Sequence, residues 1–230
     1  MGVELDGGPS VSPLTIAGRK RRNLNVYVAL GDSFTAGNGC LPEERWADLV
    51  AEDLRASNPG LRYLNMARDG ADSSDVLGQV PVAIANAPDL VTLVCGANDV
   101  ILNLRPDIDT FAGRFELMLD RLCRALPGVT VVTATYPEGW RLEGVGPRTQ
   151  ARIKAGMSDL NRAIRAVSSA RGVTCLDVVD HPGISEPANF ESDGLHPSAA
   201  GHQHAAAEFR QAIRRNFSID TPNRKKKQWK

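Results

Sequence analysis

The chain has 230 residues, of which 42% are hydrophobic and 23% charged, and its formal net charge is zero. This size and composition suit one α/β domain with a sizeable core, so two domains are not expected. The apolar runs are shorter than the roughly 18 residues that a membrane-spanning helix needs, which argues against a membrane-embedded protein.

The two ends of the chain are basic, with clusters at residues 18–22 and 224–230, whereas residues 23–219 carry 18 basic and 24 acidic side chains. Such clusters can bind nucleic acid or an anionic membrane surface. We favour solvated ends and predict no nucleic-acid partner. The predicted organisation is a flexible N-terminal segment (1–22), a domain (23–219) and a basic tail (220–230). Because acidic residues, Gly and Pro precede the first basic cluster, no signal peptide is visible and a cytoplasmic protein is predicted.

Short apolar runs alternate with helical patterns along the domain. The runs predict five buried strands, at residues 26–30, 61–65, 90–95, 129–135 and 173–178. Apolar residues recur at helical spacing from Phe111 to Leu126 and from Ile153 to Val167. Alternating strands and helices predict a parallel sheet that is covered by helices on both faces.

Residues that can carry chemistry follow four of these strands. Ser33 ends a Gly-Asp-Ser motif after the first strand, Gly70 follows the second, and Asn98 follows the third. Asp193 and His196 share an Asp-Gly-Leu-His-Pro motif after the fifth strand. Ligands of open parallel sheets bind beyond the carboxyl ends of the strands, so we expect these residues to converge on one cleft.

In this order, the four motifs resemble the four blocks of the SGNH (GDSL-type) hydrolase family. Each motif alone is a weak indication, but four in order, each at the end of an apolar run or the start of a helix, are specific. The resemblance spans residues 26–217. It implies a three-layer α/β/α fold with a five-stranded parallel sheet, which is flavodoxin-like. Members of this family are esterases, lipases, thioesterases and acyltransferases.

The chemistry of acyl transfer gives each of these residues a role. A serine hydroxyl needs a base, and His196 is the candidate, with Asp193 within reach of the Nδ1–H of its imidazole. The backbone N–H groups of Ser33 and Gly70 and the side-chain amide of Asn98 are the predicted oxyanion donors. The family resemblance implies the same oxyanion roles. This chemistry requires no cofactor, and no metal is predicted.

Each of these residues also has a plainer structural interpretation. Ser33 can cap a helix, Asp193 can cap a turn, and Asn98 and Gly70 can lie in ordinary turns. His202 and His204 fall in an Ala-rich helix, where packed or solvated histidines are favoured over metal ligands. The four cysteines lack Cys-x-x-Cys spacing and are expected to be free thiols.

Four further residues are candidates for binding the substrate. Asp32 precedes the candidate nucleophile, and Arg68 precedes Gly70 and is suited to an anionic group, although pairing with a nearby acid is favoured. Trp140 and Arg141 lie in a long connection at residues 136–152, and we expect them to border the acyl or leaving-group pocket.

The predicted function is a serine esterase or thioesterase that hydrolyses a small-molecule or lipid acyl ester through an acyl-enzyme on Ser33. One alternative is an acyltransferase with the same site, and another is a non-catalytic binding module for an acylated or glycosylated ligand. The chain lacks the Gly-x-Ser-x-Gly elbow of α/β-hydrolases and the glycine-rich loops of nucleotide sites. The sequence predicts neither the acyl chain length nor the oligomeric state.

Overall fold

The structure is a computed structural model that describes residues 24–138, 142 and 144–217. The predicted terminal segments, Trp140 and Arg141 lie outside these residues. Five strands are present: β1 (Val26–Gly31), β2 (Arg62–Asn65), β3 (Leu90–Val94), β4 (Thr130–Ala134) and β5 (Thr174–Leu176). The α-helices are α1 (Ser33–Ala36), α2 (Trp46–Ser57), α3 (Ser73–Ala85), α4 (Ala97–Ile101), α5 (Ile108–Ala125), α6 (Pro147–Ala170) and α7 (Ala199–Phe217). Single 3₁₀ turns span Pro42–Glu44, Pro182–Ser185 and Pro187–Asn189.

The five strands form one parallel sheet in the order β2-β1-β3-β4-β5. All residues of β3 are buried, as are nearly all of β1 and β4, because both faces of the sheet are covered by helices. Helices α3, α5 and α6 pack side by side in one layer, and α2 and α7 pack together in another. The predicted three-layer α/β/α fold and all five predicted strands are therefore confirmed.

The helices bury the apolar residues that recur at helical spacing, but one of them begins earlier than the sequence predicted. In α5 the residues that recur at helical spacing, Phe111, Phe115, Met118 and Leu122, are fully buried. Helix α6, however, begins at Pro147, inside the connection predicted to run to residue 152. The first turn of α6 is polar and largely exposed, so hydrophobic periodicity could not detect it, although Pro favours the first helical position.

The strand order places a topological switch between β1 and β3. The chain runs from β1 to β2 on one side and then crosses to β3 on the other side of β1. Loops that leave the carboxyl ends of β1 and β3 therefore diverge, and a cleft opens between them. No helix in the described part of the chain is long and apolar enough to cross a membrane.

Candidate active site

Ser33 is the first residue of α1, directly beyond the end of β1. Asp32, not Ser33, caps this helix, since its Oδ1 accepts a hydrogen bond from the backbone N–H of Phe34 at 3.1 Å. The Ser33 hydroxyl instead lies 3.0 Å from Nε2 of His196. The simpler interpretation of Ser33 as a helix cap is therefore wrong.

Asp193 and His196 share a turn that precedes α7. One carboxylate oxygen of Asp193 accepts from the backbone N–H groups of Leu195 and His196, at 2.8 and 3.0 Å. The other lies 2.6 Å from Nδ1 of the His196 imidazole. Partial burial alone would raise the pKa of Asp193, but the hydrogen bonds from the imidazole and the two N–H groups outweigh it and lower the pKa. Asp193 thus both caps the turn and orients the imidazole, which leaves Nε2 facing Ser33.

The loop after β2 brings Gly70 to the same edge of the sheet. The backbone N–H of Arg68 donates to Gly31 O at 3.1 Å, which fixes this loop to the end of β1. Asn98, in the first turn of α4, donates from Nδ2 to Ala71 O at 2.9 Å. Among the residues that the structure describes, the backbone N–H groups of Ser33 and Gly70 have no protein acceptor. These two groups and the amide of Asn98 are the N–H donors that the loops after β1, β2 and β3 carry at this edge of the sheet.

A buried polar network holds the start of α4 against the start of α3. Asp99 accepts from the backbone N–H of Ser73 at 2.8 Å and from its hydroxyl at 2.5 Å. Arg114 of α5 lies 3.8 Å from the Asp99 carboxylate. Burial raises the pKa of Asp99. This network, which the sequence analysis missed, positions the neighbouring Asn98.

Asp32 has no solvent exposure, and its second carboxylate oxygen accepts a hydrogen bond from the hydroxyl of Tyr136 at 2.7 Å. A direct contact with substrate does not fit this burial, so Asp32 is better described as support for the Ser33 loop. Burial raises the pKa of Asp32 to about 7. Tyr136 was not singled out from the sequence, although its position just after β4 places it at the same sheet edge.

Arg68 is 67% exposed and forms an ion pair with Asp75 at 2.8 Å, rather than with Asp69 or Asp72. Its side chain therefore lies at the surface of the loop that carries Gly70. The other two candidates for binding the substrate, Trp140 and Arg141, lie outside the described residues.

An apolar pocket of about 130 Å³ lies beside the ring of Phe34, between the ends of β4 and β5 and helix α7. The aromatic residues Phe34, Trp46, Tyr136, Phe190 and Phe209 form part of its wall, and the polar residues His181, His204 and Glu208 also line it. Neither Ser33 nor His196 is among the described residues that line it. The pocket adjoins Ser33 and His196 through their chain neighbours, Phe34 and Pro197.

His202 is fully buried, and its Nδ1 accepts a hydrogen bond from the backbone N–H of Trp46 at 3.3 Å. His204 is exposed on the same helix. Within the described ranges, no three His, Cys, Asp or Glu side chains gather closely enough to hold a metal ion. His202 is a packed core histidine, as one of the two interpretations from sequence predicted.

Comparisons with known proteins identify relatives of this chain. A lipase from Streptomyces rimosus is 24% identical over 185 residues, a match that covers 66% of this chain and 69% of that lipase. The crystal structure of the lipase/acylhydrolase from Enterococcus faecalis matches with a TM-score of 0.69 at 24% identity, covering 86% of this chain and 100% of that one. That of the extracellular lipase from Streptomyces rimosus matches with a TM-score of 0.63 at 22% identity, covering 85% and 100%.

These structural likenesses show a shared fold. The family model of the GDSL-like lipase/acylhydrolase family matches residues 29–204, most of the chain. The chain therefore belongs to the GDSL-like lipase/acylhydrolase family, as its four motifs predicted.

Proposed function

We propose that this chain is a serine esterase or thioesterase that hydrolyses an acyl ester through a covalent acyl-enzyme on Ser33. The observation that carries the proposal is the continuous chain of contacts from Ser33 Oγ to His196 Nε2, at 3.0 Å, and from His196 Nδ1 to Asp193, at 2.6 Å. A nucleophile, a base and a group that orients the base are the three parts that nucleophilic catalysis requires.

In the first half of the reaction, Ser33 Oγ attacks the acyl carbon while its proton passes to Nε2 of His196. Asp193 stabilises the imidazolium that results, since its lowered pKa keeps it ionised at neutral pH. The negative charge on the former carbonyl oxygen is met by the N–H groups of Ser33 and Gly70 and by the amide of Asn98.

His196 then gives its proton to the leaving alcohol or thiol, and the acyl group stays on Ser33. In the second half, water attacks the acyl carbon and passes a proton to His196, which returns it to Ser33 Oγ as the ester bond breaks. The products are a carboxylic acid and the free serine. A bound alcohol or amine in place of water would make the same site an acyltransferase.

Initial rates on p-nitrophenyl esters of increasing acyl length test this proposal. We expect wild type to release p-nitrophenol, and Ser33→Ala and His196→Ala each to lose at least about a thousandfold in kcat. Ser57→Ala, at an exposed position in α2, is a matched control that keeps full activity. The dependence of the wild-type rate on acyl length then gives the size of the acyl site.

Full turnover by Ser33→Ala would contradict the assignment of the nucleophile. If wild type is inactive on every ester, product analysis with added alcohol or amine acceptors distinguishes an acyltransferase from a binding module. The cytoplasmic location and the limits of the domain stay predictions from the sequence.

A further inference from the structure

Tyr136 lies just beyond β4, and its hydroxyl contacts the residue that precedes the nucleophile. Its Oη donates to Asp32 Oδ2 at 2.7 Å, and both side chains are buried. The other oxygen of the carboxylate accepts from the backbone N–H of Phe34. The Asp32 carboxylate is thus held between the first turn of α1 and the end of β4, with no water-exposed edge.

Tyr136 is itself fixed in place by α6. Its backbone N–H donates to Asn161 Oδ1 at 2.8 Å, and Asn161 Nδ2 donates back to the Tyr136 carbonyl at 2.9 Å. The ring of Tyr136 meets that of Phe34 edge-on, with 5.1 Å between centroids. The Phe34 ring in turn faces the His196 imidazole, 5.8 Å away. Tyr136 therefore contacts both chain neighbours of Ser33, and one of them, Phe34, contacts His196.

Building on the serine chemistry proposed above, we propose that Tyr136 is a positioning residue of this site. Its hydroxyl holds the Asp32 carboxylate under the first turn of α1, and thereby fixes both the orientation of Ser33 and a negative charge close to His196. A charge in this position stabilises the imidazolium that forms when Ser33 attacks, because low exposure strengthens the attraction.

The charge on Asp32 depends on the groups that surround it. Burial raises its pKa to about 7, and hydrogen bonds from Tyr136 and the Phe34 N–H, together with protonated His196, keep the pKa from rising further. Cys95, beyond β3, also faces Asp32, but burial raises the pKa of this thiol well above its ordinary value, so that it stays neutral. Burial has the same effect on the pKa of Tyr136. Removing the Tyr136 hydroxyl should therefore make Asp32 harder to ionise near neutral pH.

The test compares wild type, Tyr136→Phe, Asp32→Asn and the double variant. Two rates are followed from pH 5.5 to 9.5: kcat/KM on a p-nitrophenyl ester, and labelling of Ser33 by a fluorophosphonate. We expect Tyr136→Phe to move the acid-side midpoint of both rates upward by roughly one to two pH units, the effect of losing a hydrogen bond to a charged group. The loss should appear in kcat rather than KM. Asn can accept from the Phe34 N–H and donate its amide to the Tyr136 hydroxyl, so both contacts remain without the charge, and adding Tyr136→Phe to Asp32→Asn should cause no further shift.

Tyr27→Phe is the matched control for loss of a buried tyrosine hydroxyl. Tyr27 is also fully buried, and its hydroxyl pairs with Thr92 Oγ1 at 3.0 Å within the sheet. This variant should melt at a lower temperature than wild type but keep the wild-type midpoint. Circular dichroism melts show whether each variant is folded before its rates are compared.

An unshifted midpoint in Tyr136→Phe would overturn the inference, and so would an equal loss of rate in the Asp32→Asn background. In either case, wild-type ester hydrolysis that depends on Ser33 would leave the proposed function intact. If wild type is labelled by the fluorophosphonate but hydrolyses no ester, the proposed function fails and the labelling midpoints still decide the role of Tyr136. If Ser33 is not labelled at all, both proposals fall together.

Discussion

At the scale of single residues, Gly70 is a proposed oxyanion donor that would act through its backbone N–H alone. Its φ of +71° lies in the left-handed region, yet an added Cβ would meet no atom within 4 Å. Gly172 has a φ of +63° and equally open surroundings, but it lies between α6 and β5, at the opposite edge of the sheet. We expect Gly70→Ala and Gly172→Ala each to lose about 1–2 kcal/mol of unfolding free energy. Only Gly70→Ala should lose kcat, by about 10²-fold, because its N–H turns away from the oxyanion.

Chemical denaturation and steady-state kinetics on the same ester check both halves of this prediction. An equal change in kcat for the two variants would show that the loss reflects backbone strain in general, and that the Gly70 N–H has no part in the reaction.

The amide of Asn98 has two N–H groups, and one of them is committed to Ala71 O. The other is the proposed oxyanion donor, so we expect Asn98→Ala to lower kcat by about 10²- to 10³-fold with little change in KM. Asn103→Ala is the matched control. Asn103 lies just after α4 and makes a similar bond, from Nδ2 to Asp99 O at 3.0 Å. Undiminished kcat in Asn98→Ala would exclude a contact between its amide and the oxyanion.

The sequence predicted the residues that follow strands, but not those that support them. Ser33, Gly70 and Asn98 each come shortly after an apolar run, so the sheet topology brings them to one edge. The bond between Tyr136 and Asp32 joins residues 104 positions apart and depends on how side chains pack beneath that edge. The Asp32 side chain was expected in the cleft because the residue adjoins Ser33, whereas the geometry of the helix cap turns it into the interior.

At the scale of elements, the contact between α2 and α7 contains a titratable group. His202 of α7 accepts from the Trp46 N–H, and Phe209, two turns further on, stacks on the Trp46 ring with 4.0 Å between centroids. Burial, assisted by the nearby charges of Arg45 and His196, lowers the pKa of His202 to about 4. Folded His202 therefore stays neutral where an unfolded histidine, with a pKa near 6.5, takes up a proton.

Acidification should therefore weaken the packing of α7. Between about pH 6.5 and 4 the unfolded chain binds more protons at this position, so the stability that neutral His202 contributes is lost as pH falls. We expect His202→Asn, which keeps an acceptor near Trp46, to have a lower melting temperature at pH 7 but a smaller decrease from pH 7 to 5 than wild type. His204→Asn, exposed on the same helix, should follow wild type. Identical decreases in melting temperature from pH 7 to 5 in wild type and His202→Asn would contradict this account.

Periodicity predicted long elements and missed short ones. Helices α1 and α4 have four and five residues, too few to show a helical repeat. Helix α6 packs against α4, and the Trp46 indole N–H donates to the carbonyl of Phe34 in α1. These two short helices carry Ser33 and Asn98. The elements closest to the chemistry are thus the ones that hydrophobic periodicity describes least well, while the motifs within them remained visible.

For the whole molecule, the parallel sheet joins groups that are remote in sequence: Ser33 and His196 are 163 residues apart. Beneath Ser33, the side chains of Asp32, Tyr136 and Cys95 are all buried, so the floor of the site, formed by these three residues, excludes water. A dry floor favours catalysis by a fixed charge, but it also makes that charge costly to bury. Stability and activity should therefore respond in opposite directions when the charge is removed.

Asp32→Asn tests this opposition. The folded protein keeps Asp32 protonated up to about pH 7, whereas an unfolded aspartate ionises near pH 3.8. Between these values the folded state binds more protons, so the stability that Asp32 contributes is present below about pH 4 and lost as pH rises through 7. The melting temperature of Asp32→Asn, relative to wild type, should therefore rise by a few degrees from pH 4 to pH 8, while its kcat/KM at pH 8 falls.

The two buried groups thus titrate in overlapping pH ranges with opposite effects on stability, because ionisation adds a buried negative charge at Asp32 and a buried positive charge at His202. Melting curves of Asp32→Asn, His202→Asn and the double variant from pH 4 to 8 separate the two contributions. We expect the two single variants to show the strongest dependence of melting temperature on pH, in opposite directions, and wild type, in which the two trends partly cancel, to lie close to the double variant. If Asp32→Asn is less stable relative to wild type at pH 8 than at pH 4, Asp32 is ionised in the folded protein throughout this range, and its charge stabilises the fold instead of opposing it.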